Sequence, residues 1–153
     1  MTGRGAVLLL AAVALTSCGS PYPGRTLGQQ VHSWATTTGL TGSLSALRAD
    51  ARRVATVETR HDPAGVRTDC DVLVNDALSA NQNLPSPDDT LTRILSSAYA
   101  SASAGGRHCL AGAGGDRSLL KRSAVELATA QSGYVKAEAR LDALDAAGPG
   151  SSS

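Results

Sequence analysis

Leu120, Leu127, Tyr134 and Leu141 recur every seven residues, and Ser123, Ala130, Ala137 and Leu144 follow each of them by three. This is the a/d seam of one long helix, with small residues at most d positions. No other stretch constrains the fold as much. Such a helix must bury a narrow stripe, and side chains this small bury little area unless the facing backbone comes close. The composition agrees: the chain has no Phe and one Trp, and it is rich in Ala and Leu. Runs of β-branched or aromatic residues with period two are missing, so strands are not expected. The expected fold is all-α, an antiparallel four-helix bundle-like domain with a short extra N-terminal helix. The seam serves either packing inside this bundle or contact with a second chain, because a seam alone does not separate the two.

The other helices follow from their apolar spacing. Leu27, Val31 and Trp34 share one face of a segment from Leu27 to Thr36, which favours a core place for Trp34 over an interfacial one. Thr36-Thr37-Thr38-Gly39 is poor helix material, so a break is expected near Gly39–Gly42. Leu40, Leu44, Leu47, Ala51 and Val54 mark a helix from about Gly42 to Arg60, ended by Pro63, which disfavours a helical Asp62. Thr68 reads as the next N-cap, with Asp71 as its capping-box partner. That helix carries Cys70, Leu73, Val74, Ala77 and Leu78 on its apolar face, and Asn81–Pro85 stops it. Ser86 then reads as a cap, with Pro87 at the first helical position and Asp88 and Asp89 at the positive end of the dipole. Leu91, Ile94, Leu95, Ala98, Tyr99 and Ala102 continue the stripe. Gly105-Gly106 is expected to bend or fray it, although Cys109 and Leu110 keep its phase. Gly112–Gly115 ends it, Asp116 or Ser118 caps the last helix, and that helix runs to about Ala146. The helical domain thus spans residues 27–147, and 148–153 form a loose tail.

The N-terminus has a different organisation. Arg4 precedes an apolar run, Ala6–Leu15, which leads into Leu15-Thr16-Ser17-Cys18 and a Gly/Ser/Pro stretch, Gly19–Thr26. A basic residue, an apolar run and small residues are the layout of a secretory signal. The run is about half of the roughly 20 residues that a spanning helix needs. Leu15-Thr16-Ser17-Cys18 resembles the lipobox of bacterial lipoprotein signal peptides: an aliphatic residue, two small residues and the acceptor cysteine. The alternative is an ordinary secreted protein cleaved near Ser17 or Gly19. The resemblance implies that residues 1–17 are removed and that Cys18 becomes the first residue of the mature chain, bearing a diacylglyceryl group. Two acyl chains suffice for stable anchoring. Residues 18–26 would then be the lipidated cysteine and a flexible tether, and the domain would sit extracytoplasmically, at the outer face of the cytoplasmic membrane. Beyond residue 18 the chain is similar to small Ala-rich helical lipoproteins of actinobacteria, in composition and architecture only.

Three cysteines would leave one unpaired in an exported protein. The lipobox resemblance assigns Cys18 to lipid, so Cys70 and Cys109 remain as a disulfide pair in an oxidising compartment. Two free buried thiols are the alternative. The pairing carries a condition. Cys70 to Ala80 spans about 15 Å of helix and Pro87 to Cys109 about 33 Å. The gap closes only if residues 81–86 run extended, adding up to roughly 20 Å.

Removing residues 1–17 takes away Arg4 and no acid, which leaves 13 Lys/Arg against 13 Asp/Glu. That balance argues against a nucleic-acid partner and against a polybasic membrane patch. Arg48, Arg52, Arg53, Arg60 and Arg67 precede Asp69, Asp71, Asp76, Asp88 and Asp89. They read as complementary solvated faces of neighbouring helices, or as a polarised docking surface. Glu58-Thr59-Arg60-His61 has the Glu-x-x-His spacing of di-iron bundles, but His32 and His108 lack a matching Glu, and only Glu126 and Glu138 remain. His108 and Cys109 are neighbours on a helix and do not face each other. Asp69, Asp71 and Asp76 lack the glycine and glutamate of a calcium loop. Neither a Gly-x-Ser-x-Gly elbow nor a phosphate loop occurs. No catalytic residue, metal or cofactor is therefore expected. The expected function is a non-enzymatic, membrane-tethered protein-interaction or scaffold module that meets an envelope protein or a second copy. A small-molecule or lipid-binding bundle is the alternative.

Overall fold

A computed structural model describes residues 24–56 and 63–147. Residues 1–23, with Cys18 and the expected signal and most of the expected tether, as well as Glu58, His61 and residues 148–153, lie outside them. The described residues form five helices and no strand: α1 (Leu27–Thr37), α2 (Leu40–Ala55), α3 (Pro63–Asn81), α4 (Asp89–Gly112) and α5 (Arg117–Ala146). The all-α bundle with a short first helix is as expected.

Thr26 caps α1. Thr26 Oγ1 accepts the Gln29 N–H at 3.3 Å, and Gln29 Oε1 accepts the Thr26 N–H at 3.0 Å. This reciprocal pair satisfies two donors that α1 would otherwise leave open. The threonines that follow do not break α1, because each bonds its own helix. The hydroxyls of Thr36, Thr37 and Thr38 donate to the carbonyls of His32, Ser33 and Trp34 at 2.9, 2.8 and 2.9 Å. The break falls at Gly39, within the expected Gly39–Gly42, and its φ of +64° is left-handed and suits glycine.

Other expectations need correction. α2 opens at Leu40, not Gly42, and closes at Ala55, short of Arg60. α3 opens at Pro63, which needs no partner for a missing N–H. Thr68 lies inside it and donates to the Ala64 carbonyl at 3.1 Å. α4 is capped by Asp88, not Ser86: Asp88 Oδ1 accepts the Leu91 N–H at 2.6 Å. Ser86 turns inward, donating to the Asp88 carbonyl at 2.7 Å and meeting Thr92 Oγ1 at 3.0 Å. Gly105-Gly106 neither bends nor frays α4, which runs on to Gly112 with both glycines buried. Their use is close approach. A Cβ on Gly106 would lie 2.6 Å from Val74 Cγ2 and 3.1 Å from the Cys70 carbonyl oxygen. On α5, a Cβ at Gly133 would lie 2.6 Å from Ala98 Cβ.

α4 therefore lies antiparallel between α3 and α5, each at short range. The seam of α5 is spent within the chain. Ser123, Leu127, Ala130, Tyr134, Ala137 and Leu144 are buried, Leu120 and Leu141 half-buried, and the helix packs chiefly on α4 with α1 alongside. Tyr134, Leu47, Leu73, Leu91 and Leu95 are the largest fully buried side chains. The Tyr134 and Tyr99 rings stand 6.3 Å apart, centroid to centroid.

Cys70 and Cys109 form a disulfide with a Cα–Cα distance of 5.8 Å and a sequence separation of 39. It ties the early part of α3 to the late part of α4. Residues 82–88 connect them, but residues 82–84 first continue the winding of α3 through backbone bonds to Leu78, Ala80 and Asn81, so the connection is not extended throughout as expected. Trp34 does not enter the core fully. It is half-buried, with Nε1–H donating to the Asn83 carbonyl at 3.1 Å, and so steadies that connection. Leu27, from the same expected face, is exposed, and on α3 Ala80 takes the buried place expected of Leu78.

Candidate functional site

Polar side chains gather where α2 packs against α3. Asp50 lies on the buried stripe of α2 and is 2% exposed. One carboxylate oxygen takes the Arg53 guanidinium, whose Nε also reaches Asp69 Oδ1 at 3.7 Å. The other oxygen, Oδ2, has no donor. Asp76 of α3 faces the same carboxyl. Burial first, and the facing Asp76 second, push the Asp50 carboxyl above the usual range, against the pull of Arg53. A small cleft of about 250 Å³ between α2 and α3 passes Asp76, Ser43 and Ser79.

Two bidentate pairs clamp α5. Arg48 Nη1 and Nη2 donate to the Glu138 carboxylate at 2.6 and 2.8 Å. The Arg48 guanidinium also stands 6.0 Å from the Tyr134 ring centroid, within cation–π range. Arg140 donates to Asp88 at 3.1 and 2.7 Å, so Asp88 serves as cap and ion-pair partner at once. Hydrogen bonding to Arg140 holds the Asp88 carboxyl below its ordinary value, and Arg48 does the same for Glu138. Burial pushes the Tyr99 phenol up to about 12. Tyr134 rises further for the same reason, and its hydroxyl has no partner.

The outer surface of α4 and α5 differs in character. A groove of about 690 Å³ runs between them, lined by Ile94, Ser97, Ala98, Val125, Ser132 and Gly133 among others, with Arg93 and Lys136 at one end. No acidic residue lines it. Val125 is 67% exposed and Val135 61%, the highest values among large apolar residues described. Ile94–Gly106 contains no charged residue, and Ser123–Val135 contains only Glu126. A second groove of about 720 Å³, between α1 and the end of α5, is lined by Arg25, His32, Asp145 and neighbours.

The residues singled out in the sequence fall as follows. Cys70 and Cys109 are joined. Cys18, Glu58 and His61 lie outside the described residues. Asp69, Asp71 and Asp76 stand on helix α3 and not in a loop. His32 is exposed on α1 and His108 half-buried on α4. Among the described residues no three His, Cys, Asp or Glu side chains stand together as a metal site. Of the Arg-rich and Asp-rich runs, Arg53 of α2 reaches Asp69 of α3 at 3.7 Å, whereas Arg48 and Asp88 pair with Glu138 and Arg140 of α5, and Arg60 lies outside the described residues. Asp50, Asp88–Arg140 and Arg48–Glu138 were missed. Asp50 had a signal: it lies three residues after Leu47 and four before Val54, on the buried stripe.

No family model, curated protein or solved structure matches this chain. No helix among the described residues is long and apolar enough to cross a membrane.

Proposed function

We propose that the chain is a membrane-tethered, extracytoplasmic lipoprotein whose helical domain is a non-enzymatic protein-interaction or scaffold module. The observation that carries the reading is the Cys70–Cys109 disulfide. It accounts for two of three cysteines, and the third, Cys18, ends the lipobox-like stretch. A structural disulfide also suits an oxidising compartment. The polar groups inside the domain hold helices together: Arg48, Arg53 and Arg140 each pair with a carboxylate across or along the bundle. The uncharged outer face of α4 and α5 is where contact with an envelope protein is most favourable. Cross-linking in cells tests this. Specific envelope-protein adducts are expected, reduced by substitutions on exposed helix faces, and recovery of nothing specific would refute the module.

The second reading, a small-molecule or lipid-binding bundle at the envelope, draws on the size of the α4–α5 groove, which falls within the range of ligand pockets, about 300–1,000 Å³. Native mass spectrometry of the purified domain discriminates: a bound non-protein mass favours this reading, and the bare chain favours the first.

A further inference from the structure

We infer that the α4–α5 groove docks an amphipathic helix of a partner protein, with partner carboxylates seated against Arg93 and Lys136. The inference rests on the interaction-module reading and names its surface.

The exposed side of a surface helix is ordinarily dense in charge. Here two long helices share an outer surface that is nearly free of it across Ile94–Gly106 and Ser123–Val135. The groove floor is small, with Ser97, Ala98, Ser132 and Gly133, so a partner backbone can come close. Val125, two-thirds exposed, offers an apolar contact at the far end from the bases. Lys136 and Val125 are eleven residues apart, about 16 Å along α5, which accommodates three turns of a docked helix. A helix laid in a groove reads such a surface through apolar residues at i, i+3, i+4 and i+7.

The charges select the occupant. Arg93 and Lys136 take part in no ion pair among the described residues, unlike Arg48, Arg53 and Arg140, although the Arg93 charge also acts at longer range on Asp88. Arg93 donates only to Thr90 Oγ1, at 3.2 Å. With no acidic residue lining the groove, a second copy of the chain would offer these bases no carboxylate, whichever way round it lay, so an isologous dimer through this face leaves them unpaired. An acidic helix reverses that sign. A lipid or small ligand is ordinarily enclosed over most of its surface, whereas this groove leaves Val125 open.

The test places a photoreactive amino acid at Ser132 of the full-length chain in its own cells, with a control at Asn75 on the exposed side of α3. The expected result is a protein adduct at Ser132, mapped by mass spectrometry to a helical segment bearing Asp or Glu. Arg93→Glu with Lys136→Glu should lower its yield at least fivefold, and Lys136→Glu alone at least twofold. Changing the mapped acid to Lys should restore it in the charge-reversed chain. Retention of the Cys70–Cys109 disulfide and of helical circular dichroism establishes that the variants fold. An adduct with a second copy, with lipid alone, or with a protein indifferent to the charge reversal overturns the inference. Silence at Ser132 beside an adduct at Asn75 removes the groove and spares the module reading. Silence at both removes both.

Discussion

Replacing Asp50 with Asn is expected to stabilise the domain. The native carboxylate is almost wholly buried, one of its oxygens has no donor, and it faces Asp76. Asn keeps the shape, leaves an oxygen for Arg53, and offers an N–H to Asp76. A buried polar atom left unsatisfied costs about 1–3 kcal/mol. Against this stands the loss of charge opposite Arg53, whose side chain is half-exposed and also reaches Asp69. A pair so open to solvent contributes at most about 1 kcal/mol. The balance favours Asn by about 1 kcal/mol at pH 7, or about 4 °C in Tm. The pH dependence is the sharper signature. The folded Asp50 carboxyl holds its proton more tightly than the unfolded one does. Its contribution is therefore complete below the ordinary value of 3.8 and is lost as pH rises through the raised native value. Asn does not titrate, so the advantage of D50N should be least near pH 4 and widen towards pH 7. Carboxylates other than Asp76, which faces residue 50, titrate alike in both proteins and cancel in the difference. Thermal unfolding by circular dichroism from pH 4 to 8, with the disulfide intact, measures this. A variant less stable than the parent at pH 7, or a gap independent of pH, would refute the reasoning.

Other outcomes follow from the same contacts. Replacing Cys70 and Cys109 together by Ala should cost about 4 kcal/mol in urea unfolding, the chain-entropy value for a loop closed across 39 residues. Asp88→Ala should cost about 2–4 kcal/mol, since it removes a cap and strands Arg140, while Asp88→Asn, which can still cap, should cost less. Asp88 and Glu138 are held below their ordinary values, so the stability they confer is full above the ordinary carboxylate range and lost as pH falls through their native values. Acid titration of Tm should show this loss, and D88N should flatten it. Gly133→Ala should destabilise by about 1–2 kcal/mol through the clash with Ala98, whereas Gly42→Ala, with open space around it, should stabilise by about 0.5 kcal/mol.

The seam of α5 was legible because a seven-residue period survives any context: every d position it named is buried. The α1–α2 break was legible because Gly39 alone could take a left-handed turn there. The helix starts were less so. Ser86 and Asp88 are equally competent caps in isolation, and the choice is made by Thr92, which bonds Ser86, and by Arg140, fifty-two residues away, which bonds Asp88. Gly105-Gly106 disfavours a lone helix, yet the same absence of side chains lets α3 and α5 close on α4. Asp50 set two signals against each other: its spacing places it in the core, its chemistry places it outside, and spacing prevailed. The disulfide was legible only once Cys18 had been set aside. The α4–α5 groove was not anticipated, because Ser, Ala and Thr on an outer face look like neutral filler until two helices form one surface.

The central claim is that Cys18 belongs to the membrane and Cys70 and Cys109 to the fold. Phase partitioning of the full-length chain and of Cys18→Ser, with intact-mass analysis without reductant, tests it most directly. The account predicts a parent that begins at Cys18, carries a diacylglyceryl mass and enters the detergent phase. It predicts a Cys18→Ser protein that lacks the lipid, leaves the membrane and retains the Cys70–Cys109 bond. A Cys18→Ser protein that stays in the membrane, or misfolds with scrambled thiols, would contradict it.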